Sequence, residues 1–206
     1  LTECNFFPGV NFANNPPSFV TDSLKYLDLS WDRMIFENVR APRMVSCFQS
    51  TFDISISKKH LMFLRKKFNF FDFGLDQPER IFISRQDAKV RRILNENELY
   101  SFLKKNGFSF HILDGLTLKE QISLFQNAKI IVGPHGAAIN NISFCNSNHK
   151  VVEIKKKNHI GTRYFKIAKI NKVNYYYILG DAIDSTRHSD YIVDIQKFKK
   201  MMKAII

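Results

Sequence analysis

The sequence predicts an α/β fold built on a parallel, doubly wound sheet, and three observations carry that expectation. From Arg80 onward, short apolar runs alternate with amphipathic segments of helical period, the pattern of successive β–α–β units. The helical segments carry start and stop signals: Asn95 with Glu98 three residues on, Thr117 with Glu120, and Gly107 after the first of them. Two of the apolar runs end in small or polar residues, SRQD and GPHGAA, and such sheets bind ligands at the carboxyl ends of their strands.

The N-terminal part is less regular. Pro8, Gly9, Pro16 and Pro17 break residues 1–16. A short helix is expected from about Ser18 to Leu27, followed by short strands at MIFENV and RMVSCFQ. SKKHLMFLRKKF reads as a helix with Leu61, Leu64 and Phe68 on one face. Gly74 and Pro78 in FDFGLDQPE mark a hinge, so residues 1–75 and 76–206 are expected to form two domains. In the second, RIFIS, FSFHIL, KIIV, VVEI and VNYYYIL are predicted strands, the last one buried. NENELYSFLKKNG, TLKEQISLFQNA, GAAINNISF and TRYFKIAKIN are predicted helices. Ser189 to Ile206 is predicted as one amphipathic helix with Ile192, Ile195, Phe198 and Met202 on its apolar side.

Composition narrows the function classes. The 206 residues are 45% hydrophobic and 24% charged, enough for one ample core or two small ones. No apolar run approaches the ~20 residues of a membrane span, and LTECNFFPGV does not read as a cleavable signal. The chain begins with Leu rather than Met, so missing N-terminal sequence stays open. Cys4, Cys47 and Cys145 are few, odd in number and far apart, which suggests neither a disulfide framework nor a zinc site and favours a cytoplasmic setting. Lys plus Arg number 31 against 19 Asp plus Glu, a net charge of +12. That excess suits anionic partners, nucleotide phosphates among them, and equally suits a generally Lys-rich surface.

Two strand ends carry candidate chemistry. In KIIVGPHGAAINN, Gly133, Gly136 and Ala137 leave room for a phosphate to approach the backbone at a helix start, and His135 can donate to the same oxygen. The alternative is a tight Gly-Pro turn with a capping or packed histidine. In ISRQDAKVRRILNE, Ser84 and Arg85 directly follow a strand, and the Arg85 fork matches phosphate oxygens. Arg92 is a second candidate, whereas Arg91 reads as part of a solvated loop face. His111 reads as a packed strand residue. The histidines show no metal-ligand spacing, and no D-x-D occurs in the chain.

Taken in order, SR-x5-RR-x2-NE-x-EL, EQ-x3-F-x2-A, GPHGAA-x2-N-x2-F and VVEI resemble glycosyltransferase family 61. The matching residues are Ser84, Arg85, Arg92, Asn95, Glu96, Gln121, Ala128, His135, Gly136, Ala137, Asn141, Phe144 and Glu153. Ala138 and Asn140 depart from the family pattern, and the N-terminal His/Asp-containing segment of the family is not found. The resemblance implies a GT-B-like architecture: a Rossmann-type C-terminal domain with a short or incomplete N-terminal α/β domain. It implies an inverting transferase that moves a sugar from a nucleotide sugar, commonly a uridine diphosphate sugar, to a glycan acceptor in polysaccharide or glycoconjugate synthesis.

On that reading Ser84, Arg85, Arg92, Gly133, His135, Gly136, Ala137, Asn141 and Glu153 are donor-binding candidates. Arg85 and His135 would stabilise the leaving diphosphate, with no metal cofactor required. Asn141 would orient the turn or touch the sugar, and Gln121 would brace a loop. Glu153 would accept ribose hydroxyls, or be an ordinary strand-edge carboxylate. The general base stays unassigned among Asp22, Asp28 and Asp32. Two alternatives stand beside this reading: a non-catalytic nucleotide-sugar-binding half of a larger enzyme, and a basic nucleic-acid-binding domain. Lys197, Lys199, Lys200 and Lys203 raise a peripheral membrane contact, against a last helix that packs back across the two domains.

Overall fold

The computed structural model describes residues 18–28, 57–68, 77–158, 161–186 and 188–206. The two strands expected at MIFENV and RMVSCFQ, together with Cys4, Cys47, Asp32, Gly74 and His159, lie outside the described residues. The chain divides into two compact units, one of Leu1–Asn69 with Thr117–Lys119 and one of Phe70–Leu116 with Glu120–Ile206.

In the first unit, α1 spans Ser18–Tyr26 and α2 spans Lys58–Lys67. Ser57 caps α2, its side chain accepting from the His60 amide at 3.1 Å, and so satisfies one of the orphan donors at the helix start. Leu61 and Phe68 are buried, as their shared face predicts. Phe68 meets Tyr26 edge-on with centroids 5.7 Å apart. Asp28 and Lys67 form an exposed ion pair at 3.4 Å, a contact of little energetic weight in water.

The second unit holds a six-stranded sheet. Its elements are β1 (Arg80–Ile83), α3 (Glu96–Lys105), β2 (Ser109–His111), α4 (Leu118–Asn127), β3 (Ile130–Pro134), a 3-10 helix (Ala137–Phe144), β4 (Lys150–Lys156), α5 (Arg163–Asn171), β5 (Asn174–Ala182), β6 (Tyr191–Ile192) and α6 (Ile195–Ile205). The strand order is β2-β1-β3-β4-β5-β6. All pairs are parallel except β5 with β6. Crossovers between parallel strands are right-handed. The chain steps one way from β1 to β2 and the other way from β2 through β3 and β4 to β5. Hence α3 falls on one face of the sheet, and α4, the 3-10 helix and α5 fall on the other.

The side chains follow that division. Phe82, Val132, Val152, Ile154 and Ile178 alternate onto the α3 face, where they pack with Leu99, Leu103, Phe198, Met202 and Ile205 in one cluster. Ile81, Ile131 and Val151 occupy the intervening positions and are also fully buried. Strands covered on both faces read as continuous apolar runs, which is why RIFI, KIIV and VVEI were visible in the sequence. Gly180 lets β5 pass close to β6: a Cβ there would lie 2.5 Å from Tyr191 Cδ2 and 2.8 Å from the Ile192 carbonyl oxygen.

Four local expectations are corrected. Ser189 to Asp194 is not helical. Tyr191 and Val193 are buried and Ile192 is exposed, the period-two pattern of a strand, and α6 starts only after Asp194 caps Gln196 and Lys197. The apolar face of α6 packs against α3 within the second unit, with Phe198 edge-on to Phe102 at 6.3 Å. GAAINNISF coils as a 3-10 helix rather than an α-helix, a geometry favoured in short segments, and Asn171 closes it by donating to the Ile142 and Ser143 carbonyls. Finally, VNYYYIL is not a buried strand. Beyond β4, β5 is paired only at Asp181 and Ala182, and Tyr176, Tyr177 and Leu179 are exposed. Among the described residues no helix is long and apolar enough to cross a membrane.

Candidate functional site

Because β2 and β3 lie on opposite sides of β1, the direction of winding reverses between β1 and β3. In open parallel sheets this switch point opens a crevice at the carboxyl ends of the strands, and ligands bind there. The residues at those two ends are Ser84 and Arg85 after β1, and His135 and Gly136 after β3.

Arg85 and Gly136 fit each other directly. A Cβ on Gly136 would lie 2.2 Å from Arg85 Nη1, 3.1 Å from Cζ and 3.2 Å from Cδ. Gly136 has φ 178° and ψ 176°, an extended backbone that any residue adopts, so the glycine is required for space and not for conformation. The missing side chain is the seat of the guanidinium. Arg85 Nε is buried and has no hydrogen-bond partner among the described residues. Burying a charged donor without a partner costs free energy, and an anion entering the crevice would remove that cost.

His135 is fixed from behind. Its Nδ1 meets Glu153 Oε1, and Glu153 Oε2 accepts from the Tyr175 hydroxyl. Glu153 sits on β4 in register with Gly133, and its side chain is 1% exposed against 17% for His135. The sequence reading of Glu153 as a ribose contact or an edge carboxylate is therefore corrected. Its strand is central, and both its oxygens are taken by protein groups. An acid on one ring nitrogen sets the tautomer and orientation of an imidazole. The opposite wall is Tyr164, whose ring lies 4.9 Å from that of His135 and whose hydroxyl donates to the Gly136 carbonyl at 2.6 Å. Burial pushes the Tyr164 phenol up to about 12. Burial, followed by the charge and hydrogen bond of Glu153, raises Tyr175 as well. Both therefore act as donors throughout the physiological range.

The other predicted residues are placed as follows. Ser84 is buried and donates to Glu96 at 2.6 Å while accepting from the Gln86 amide at 3.0 Å, so it anchors the loop after β1. Arg92 is held by Asp190 through Nε at 3.0 Å and Nη2 at 2.8 Å. This two-pronged ion pair ties its loop to the β6 segment. Asn95 makes no side-chain cap. It exchanges two hydrogen bonds with the Val193 backbone, 2.8 Å and 3.0 Å. Gly133 is enclosed by Ile139 and Ile83, both 3.1 Å from where a Cβ would sit. Asn141 is buried and donates to Gln121, whose amide nitrogen reaches the Leu113 and Leu116 carbonyls. Gln121 thus braces a loop, as expected, and Asn141 braces Gln121. Ala137 is exposed at the start of the 3-10 helix, where the first amides have no intrahelical acceptor. His111 is half-buried on β2 beside Ser109, at 2.7 Å, and burial lowers its pKa.

Glu96 gives the site a pH dependence. Burial raises its pKa above 4.5, against the lowering effect of hydrogen bonds from Ser84, the Arg85 backbone and Gln86. A folded-state pKa above the unfolded one means that the unfolded chain gives up this proton first, so stability falls as pH rises through that window. Glu96→Gln keeps an oxygen to accept from Ser84 and removes the titration. The variant is expected to lose less stability than wild type as pH rises from 4.5, read by denaturant unfolding across a pH series.

Sequence reasoning missed Tyr164, Tyr175 and Arg91. The tyrosines lie on an ordinary helical and an ordinary strand pattern, and only the register of β4 and β5 brings Tyr175 to Glu153. Arg91, read as solvated, is half-buried in the left-handed region at φ 59°, with Nε buried and without a hydrogen-bond partner among the described residues. Among the described residues no group of three His, Cys, Asp or Glu is arranged to hold a metal ion.

The profile described as Glycosyltransferase 61 matches residues 6–152. The chain belongs to glycosyltransferase family 61. The match takes in Arg85, His135, Gly136 and Asn141 and stops one residue short of Glu153. A family 61 chain is a glycosyltransferase, and nucleotide-sugar donors with glycan acceptors are the general chemistry of that class. No curated protein sequence matches this family 61 chain. Among solved structures, an orphan response regulator of H. pylori is similar with TM-score 0.36 and 13% identity, over 62% of this chain and 97% of that one.

Proposed function

We propose that the chain is an inverting glycosyltransferase that takes its sugar from a nucleoside diphosphate donor, a uridine diphosphate sugar first among them, by a single displacement. The observation that carries this reading is Arg85: a guanidinium seated in the space left by Gly136 at the switch point, with a buried Nε that has no hydrogen-bond partner among the described residues. As the bond to the sugar breaks, negative charge grows on the departing diphosphate. Fixed donors aimed at that charge lower the barrier without reorganising. In this reading Arg85 takes a phosphate oxygen in its fork, His135 in its imidazolium form keeps Nδ1 on Glu153 and donates from Nε2 to another, and the first amides of the 3-10 helix meet a third. Glu153 and Tyr175 hold the imidazole in place while the charge develops. Arg85 and His135 supply the positive charge that a divalent cation supplies in other transferases, so no metal is required.

A second domain on the amino-terminal side would complete a GT-B arrangement and present the acceptor. The base that takes the acceptor proton is proposed to come from that side. Asp28 is exposed and ion-paired to Lys67, Asp22 is half-buried on α1, and neither has a feature that singles it out. A melting-temperature screen with uridine, guanosine and cytidine diphosphate sugars tests the reading. The uridine donors are expected to stabilise wild type, and His135→Ala to lose at least half of that shift. A protein that none of these donors stabilises is not the enzyme proposed.

A further inference from the structure

We infer that Arg91 is a second anion-binding guanidinium of the same crevice, paired with Arg85 so that two phosphoryl groups are gripped at once. The inference rests on the proposed diphosphate site and extends it to a residue whose sequence context reads as solvated loop. The two arginines share an unusual condition: among the described residues, only Arg85 and Arg91 have a buried Nε without a hydrogen-bond partner. They also share surroundings. The positive charges of both act on the hydroxyls of Tyr164 and Tyr191. Tyr164 hydrogen-bonds the Gly136 carbonyl and Tyr191 the Ile154 carbonyl, and because Ile154 pairs with Pro134, both hydroxyls lie near the carboxyl end of β3.

The acidic groups around this basin are committed elsewhere. Glu153 serves His135 and Tyr175, Glu96 serves Ser84, and Asp190 serves Arg92. Among the described residues neither guanidinium is ion-paired to any of these carboxylates, and each keeps a buried Nε without a partner, a condition that favours an anion as the missing acceptor.

The backbone of Arg91 is held in a conformation that long side chains avoid, φ 59°. Such strain persists only where the surroundings impose it, and here they are explicit. The Arg91 amide donates to the His188 carbonyl at 3.2 Å. The Arg92 amide and guanidinium grip Asp190. Ile93 bridges Tyr191, and the Leu94 amide donates to the Tyr191 carbonyl at 2.9 Å. The loop is clamped to the β6 segment on both sides of the strained residue, and the clamp fixes where the guanidinium goes. This gives the Arg92–Asp190 pair a purpose: it positions Arg91 instead of binding the donor itself.

The test uses the whole chain, with pyrophosphate, uridine diphosphate and uridine monophosphate titrated by calorimetry into wild type, Arg91→Asn and Arg91→Gly. Asn and Gly both accept a left-handed φ, so neither variant is expected to melt below wild type without ligand. The expected result is a tenfold or greater loss of affinity for pyrophosphate and uridine diphosphate in both variants, and a smaller loss for uridine monophosphate. Unchanged affinity in both overturns the inference. So does weakened affinity accompanied in both by a lower melting temperature, because that marks a structural role. If wild type binds neither pyrophosphate nor uridine diphosphate, the diphosphate site itself fails, a result distinct from a wild type that binds and variants that bind as well.

Discussion

Gly136→Ala is expected to weaken binding of a nucleoside diphosphate sugar by roughly 10-fold to 100-fold while leaving the fold intact. The added methyl group would meet Arg85 Nη1 at 2.2 Å, and the end of a long side chain is the one neighbour that can move away. The backbone at this position is extended, so alanine adopts it without strain, and a Gly→Ala change at a compatible position even stabilises by ~0.4–1 kcal/mol through the unfolded chain. What is lost is the seat of the guanidinium. A hydrogen bond to a charged group contributes about 1.5–3 kcal/mol, which sets the scale of the expected loss. Melting temperature and donor affinity, measured on the same preparation, separate the two effects. A variant that melts well below wild type, or that binds donor as well as wild type does, contradicts this account of Gly136.

Glu153 is the second position where a single change is expected to have a large effect, and here stability and turnover change together. Glu153→Leu leaves the Tyr175 hydroxyl and His135 Nδ1 facing an apolar side chain in a buried place. Each unsatisfied buried polar group costs about 1–3 kcal/mol, so the variant is expected to lose about 2–4 kcal/mol in denaturant unfolding. Glu153→Gln is the more informative change. It retains the size and one accepting oxygen but offers a neutral amide where an acid stood, so His135 loses the carboxylate that orients its ring and faces its charge. Where a buried acid orients a catalytic histidine, its amide lowers turnover by ~10⁴. Here, where the histidine is one of several groups meeting the charge, a fall of roughly 100-fold in donor cleavage is expected, with the melting temperature changed much less than in Glu153→Leu. Equal turnover in Glu153→Gln and wild type would remove Glu153 from the site.

Much of the second unit was legible because the physics that forms it is local. Parallel strands buried on both faces show as unbroken apolar runs, and the helices between them carry their period and their caps. The switch point followed from topology, and Arg85 and His135 were readable as strand-end residues. What escaped the sequence depends on register and on chain segments distant from one another. Tyr175 reaches Glu153 only because β4 and β5 pair as they do. Asn95 does stand at the N-cap of α3, but its side chain turns away from the helix to pair with Val193, 98 residues away. Arg92 looked like a ligand contact, but Asp190 had no signal marking it as its partner. Tyr191 and Val193 read as part of a helix because a two-residue strand is too short to show its period, and the cap at Asp194 is the one local clue. Gly136 was read as leaving room for a phosphate at the backbone, whereas the space it leaves is occupied by the Arg85 side chain.

The proposed function requires that the crevice between β1 and β3 receive a diphosphate through Arg85. Calorimetric titration of a uridine diphosphate sugar into wild type and Arg85→Ala measures this most directly. Saturable one-to-one binding to wild type, reduced at least tenfold in Arg85→Ala at equal melting temperature, is the expected result. Equal affinity in the two proteins would show that the donor is held elsewhere and contradict the account.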